Sequence, residues 1–229
     1  MQNNKQHFLE HPEVRLHFEN IFPLIIEESD RGAILIAASQ VDLALEKALK
    51  RIAPLDISSG KLKNILDYSG PLGTFSSRIS IAYFFRVINK KVMEAINTLR
   101  GLRNTVAHAP KSFSLQEHQD RLTNLYNLGS GVPIGVHQWA LDGLMTDTIT
   151  KLLKVPDPNS PDDKKIFSEA QEVIEYISGR DDLLEMLNNK LPKWKLGLGT
   201  ALMCGVIFAG ADKVFSTLNS KNGDQTECD

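Results

Sequence analysis

Strands are what this sequence lacks most. Alternating β-branched runs bounded by turn residues do not occur, and apolar residues recur instead at helical spacing, which excludes sheet-built folds and predicts an all-α protein. Cysteine is nearly missing as well. Cys204 and Cys228 form no CxxC pair and one falls in a polar tail, so neither a disulfide framework nor a zinc site is expected, and a reducing cytoplasm fits. The opening residues Met1-Gln2-Asn3-Asn4-Lys5 lack the apolar core of a signal peptide. There is no HExxH or P-loop pattern, and Gly197-Leu198-Gly199 is followed by Leu202 where a dinucleotide fingerprint requires glycine. His7, His11, His17, His118 and His137 are scattered without metal-ligand spacing, so no metal and no cofactor is assigned.

A large excess of either charge is missing too. A net charge of −2 over 229 residues argues against a protein that grips duplex DNA through bulk positive charge. The average hides an asymmetry. Between residues 86 and 111, Arg86, Lys90, Lys91, Arg100, Arg103 and Lys111 stand against Glu94 alone, whereas between 158 and 189 eight acids oppose three bases. The basic window can present a small anion-binding surface although the whole chain is not cationic.

The helices can be placed from their caps and stripes. Pro12 opens a first helix with Val14, Phe18, Ile21 and Ile25 on one stripe, and Pro23 kinks or interrupts it. A central helix runs from about Ser29 to Ile52, and a brief one surrounds Leu62, Ile65 and Leu66. Gly70-Pro71-Leu72-Gly73-Thr74 is a turn leading to a helix over about Phe75 to Val87. Asn89 caps a long helix from Lys90 to His108. Ser114-Leu115-Gln116-Glu117 has capping-box spacing for the next helix, and another covers about Val136 to Leu153. These elements form a bundle over residues 1–154. The proline-rich stretch 155–161 reads as a linker to a helical extension over 162–218, with a helix from Pro161 to about Ser178, a short one from Asp182 to Asn189 and an apolar last helix. Residues 219–229 read as a disordered tail. Leu196 to Ala211 is uncharged for sixteen residues between Lys193-Trp194-Lys195 and Asp212-Lys213. It is shorter than the roughly 20 residues of a membrane span, so it reads as a buried or partner-binding helix, with a membrane-associated tail left open.

The chemistry gathers at one helix end. Arg100, Asn104 and His108 fall at i, i+4 and i+8 on one face, with Arg103 beside Asn104. Pro110 stops the helix near His108 and leaves the ring beside unsatisfied carbonyls, where the helix dipole favours a cation. Glu28, Asp30 and Arg31 form a second charged cluster at the head of the central helix.

Arg103-Asn104-Thr105-Val106-Ala107-His108 resembles the signature of the HEPN superfamily of helical proteins. A closer resemblance joins it to Glu28-Ser29-Asp30-Arg31-Gly32-Ala33 and to Gly70-Pro71-Leu72-Gly73-Thr74-Phe75-Ser76. In this order and spacing the three motifs look like the mannitol operon repressor (MltR-like) family, itself similar to HEPN domains. Val106 stands where that family usually carries an aromatic, and the chain extends past the typical family length.

The resemblance implies an HEPN-like bundle, a likeness to homodimers, and a regulator that lowers gene expression. With no convincing helix-turn-helix, contact with a protein partner fits better than direct reading of DNA. As the alternative, it implies a metal-independent endoribonuclease acting on RNA. In that reading His108 is general acid or base, Arg103 and Arg100 stabilise phosphorane charge, and Asn104 orients the pair, with Glu28, Asp30 and Arg31 in support. A third reading is structural: Arg103 pairs with Glu28 or Asp30 across the bundle, and His108 caps its own helix.

Overall fold

In the computed structural model, residues 11–108, 113–158, 160 and 164–223 are described. Among them there is no strand, only an isolated antiparallel bridge between Pro156 and Lys165, and ten α-helices account for the architecture. The all-α expectation holds.

The first helix is interrupted as Pro23 requires. α1 (Pro12–Leu16) opens into a π-turn over His17–Ile21 before α2 (Phe22–Glu27) resumes with proline at its start. The wider turn falls just before the residue that has no N–H to donate. α3 (Asp30–Arg51) begins at Ser29, whose hydroxyl accepts from the Gly32 N–H at 3.1 Å. α4 (Ser59–Leu66) starts behind Ser58, and α5 (Phe75–Phe84) behind a capping box made by Thr74 and Ser77. α6 (Lys90–His108) starts where Asn89 Oδ1 accepts from Val92 N–H at 3.0 Å. Each of these starts follows from a short polar side chain that can replace the missing turn.

Four boundaries differ from the sequence reading. α5 stops at Phe84 rather than Val87, because Arg86 adopts a left-handed φ of 60°. Its N–H reaches Tyr83 O, and the Val87 N–H reaches Ala82 O, which is the Schellman arrangement with arginine in place of the usual glycine. The capping box expected at Ser114–Glu117 does not form: a 3-10 turn covers Gln116–His118 and α7 (Gln119–Leu125) follows. α8 (Val132–Leu152) begins earlier, with Pro133 in its first turn. α9 (Ala170–Ser178) begins later than Pro161, which lies outside the described residues.

The largest difference is α10 (Asp181–Gly223), which continues through Pro192 and merges two expected helices. One cluster of buried residues runs from Ile25 through α3, α5 and α6 to Ala211, so α10 shares the core of the helices before residue 154. On either side of the residues not described, Asp157 N–H donates to Lys164 O and Ile166 N–H to Val155 O. A smaller cluster of Leu144, Val173, Ile177 and Leu187 joins α8, α9 and the start of α10, and Trp194 touches both clusters.

α10 is long and apolar enough to cross a membrane by length and composition, and 61% of its apolar window is buried inside the protein. Its glycines explain the dilution that the sequence shows. A Cβ at Gly197 would strike the Phe22 ring, one at Gly199 the Tyr126 ring, and one at Gly210 the Val87 carbonyl. Small residues let neighbouring rings and backbone approach the helix axis, which is how a helix apolar all round is buried.

Candidate functional site

The end of α6 lies beside the start of α3. Leu99, Leu102 and Val106 are buried and fix the inward face of α6. Arg103 is half-buried at the edge of that face, and Asn104 and His108 are exposed. None of these three side chains has a hydrogen bond or ion pair among the described residues. α6 is helical through His108, and Ala109, Pro110 and Lys111, on which the expected stop depends, lie outside the described residues.

The acidic cluster is engaged elsewhere. Asp30 accepts the backbone N–H of the buried Leu115 at 2.8 Å and stands 3.8 Å from the Lys193 ammonium of α10. Lys193 also donates to the Glu28 carbonyl at 2.7 Å. Arg31 reaches across to α6 and donates to the Ala107 carbonyl at 3.3 Å, satisfying one of the acceptors that a helix end leaves open. The expected pairing of Arg103 with Glu28 or Asp30 is not formed among the described residues. Arg31 makes the clasp between the two helices.

Arg100 is also engaged. Its Nη1 donates to Ser76 Oγ of α5 at 2.6 Å, and its Nε is buried without a partner. It braces α5 against α6 rather than standing open beside Asn104. A cation that the sequence reading missed comes from α7: Arg121 donates to Thr105 Oγ1 at 3.3 Å and lies against Gly101. A Cβ at Gly101 would come within 3.2 Å of the Arg121 guanidinium. A glycine in the middle of a helical stripe was the signal for that close approach.

The outward strip of α6 therefore carries Arg103, Asn104 and His108, with Arg121 and Arg31 on either side. No carboxylate pairs with Arg103 or His108 among the described residues. Such a surface can hold an anion and, through the imidazole, exchange a proton with it. No cluster of three or more metal-ligating side chains occurs among the described residues. A different surface feature lies at the opposite end of α6, where Phe84 is 75% exposed and packs edge to face on Phe85 at 5.4 Å. Arg86, Lys90 and Lys91 follow closely in sequence, all exposed.

No protein-family model matches the chain, and no curated protein or solved structure is significantly similar to it.

Proposed function

We propose that the protein lowers gene expression at the level of RNA, as a metal-independent endoribonuclease working through Arg103, Asn104 and His108. The observation that carries this reading is the division of labour at the helix end. Arg31 ties α3 to α6 and Asp30 ties α3 to Leu115, whereas Asn104 and His108 are exposed, Arg103 is half-buried, and none of the three is paired among the described residues. In the reaction, a neutral His108 takes the proton of a ribose 2′-hydroxyl. The O2′–P bond forms, the P–O5′ bond breaks, and the departing oxygen takes a proton from water. Arg103 stabilises the extra charge on the phosphorane, and Asn104 orients the phosphate. The resemblance to HEPN proteins adds that two copies bring two such faces to one cleft. The test is cleavage of single-stranded RNA in EDTA by the full chain, with Arg103→Ala and His108→Ala as folded controls. Intact RNA with the wild type would sink the reading.

A second reading, an MltR-like regulator acting through a protein partner, is favoured by the exposed Phe84–Phe85 corner. Aromatic anchors beside cations suit an acidic protein surface. Recovery of a partner by the wild type and its loss in Phe84→Ala with RNA left intact would favour this reading over cleavage.

A further inference from the structure

A cavity of about 270 Å³ lies between α7, α8 and α10. α7 lines it with Gln119, Leu122 and Tyr126, and α10 with Asn188, Leu191 and Lys195. Both sets run at i, i+3 and i+7, so each is a single stripe of its helix turned towards the other. One turn beyond Lys195 the two helices touch, because the Tyr126 ring packs where a Cβ at Gly199 would stand. A cavity of about 150 Å³ already admits benzene.

Lys195 is the unusual member of these stripes. It is partly buried, and burial lowers its pKa below the ordinary lysine value with no carboxylate acting against it. Among the described residues it makes no hydrogen bond or ion pair. Lys193, two residues earlier, has both, with the Asp30 carboxylate at 3.8 Å and the Glu28 carbonyl at 2.7 Å. The unpaired Lys195 ammonium keeps access to solvent, so a ligand entering the cavity can reach it. No aspartate or glutamate lines the cavity, whereas His137 of α8 joins Lys195 there. A cation drawn partly out of water is stabilised by an anion, and these walls supply none of their own.

We propose that this cavity binds a small organic monocarboxylate, its carboxylate on the Lys195 ammonium and its apolar body against Leu122, Leu191 and Pro192. Gln116 and Gln119 bring carboxamide N–H groups to the same lining, and such donors strengthen the hold on an oxygen anion. A lone ammonium without an arginine fork suits a single negative charge better than a phosphate dianion. Neither Arg103 nor His108 lines the cavity, so the site does not depend on the RNA reading.

The test titrates the full chain by calorimetry with benzoate, with benzamide as an uncharged analogue of the same shape, and with inorganic phosphate. Benzoate is expected to bind at least tenfold tighter than either. Lys195→Met is expected to bring benzoate down to the level of benzamide. Lys190→Met, which removes an exposed lysine of the same helix outside the lining, is expected to leave benzoate binding unchanged. The ¹³Cε signal of wild-type Lys195 supplies a readout that does not depend on either variant folding, and it is expected to move with benzoate and not with benzamide. Equal binding of benzoate and benzamide, no binding of benzoate, or phosphate binding as tight as benzoate would overturn the proposal. So would equal losses in the two lysine variants, or a Lys195 signal that benzoate leaves unmoved.

Discussion

Replacing Asp30 by alanine separates the clasp from the exposed site. The carboxylate accepts the Leu115 N–H at 2.8 Å, and Leu115 is buried. Without it the donor has no partner in the structure. A hydrogen bond to a charged acceptor contributes about 1.5–3 kcal/mol, and an acid in the first turn of a helix adds about 0.3–1 kcal/mol through the dipole. The Lys193 contact at 3.8 Å adds little, being long and partly exposed. Asp30→Ala is therefore expected to cost about 2–4 kcal/mol, and at roughly 2–4 °C per kcal/mol for a chain of this size the midpoint falls by about 5–15 °C. Arg103→Ala and His108→Ala, which break no bond among the described residues, are expected to cost less than about 0.5 kcal/mol each. Urea unfolding followed by circular dichroism measures all three. An Asp30→Ala cost within 0.5 kcal/mol of zero, or an Arg103→Ala cost equal to that of Asp30→Ala, would refute the assignment of the clasp.

Other perturbations follow from the same contacts. Burial lowers the His17 pKa from 6.5 to about 4, so the unfolded chain takes up that proton first. The corresponding stability is complete above about pH 6.5 and is lost as pH falls towards 4, about 3 kcal/mol in all. Stability curves of wild type and His17→Leu between pH 7 and 4 should differ by that slope, and parallel curves would contradict it. Arg86→Gly relieves a left-handed residue with φ 60° and is expected to stabilise by about 1 kcal/mol, seen as a higher urea midpoint. Gly135→Ala in α8, where an added Cβ meets nothing within 4 Å, should gain up to about 1 kcal/mol of helix propensity. Gly210→Ala should instead lose about 1–2 kcal/mol net, because its Cβ meets the Val87 backbone, which cannot swing aside. Two shifts of the same sign would be evidence against that packing.

Helix starts were legible at three side chains that carry caps: Ser29, Thr74 and Asn89 sit where the sequence places them or one residue away. The end of α5 was not, because its left-handed corner is occupied by Arg86, held between a packed α5 and the close approach of Gly210 to Val87. α10 was legible as an apolar helix but not as one continuous element, because it runs on through Pro192. Glycines that suggest a diluted or membrane-facing helix are contact points for Phe22, Tyr126 and Val87, residues distant in sequence. At the site, the Arg-Asn-His face and its relation to the Glu28-to-Arg31 segment could be read directly. Which residue of each segment touches the other could not, because Arg31 to Ala107 and Asp30 to Leu115 depend on how two helix ends meet.

The central claim concerns one proton and one hydroxyl. Single-stranded RNA incubated with the protein in EDTA should yield fragments ending in a 2′,3′-cyclic phosphate. The same strand carrying 2′-O-methyl groups throughout should stay whole, and His108→Ala should leave both intact while melting like the wild type. Cleavage of the methylated strand, or unchanged cleavage by His108→Ala, would contradict the account.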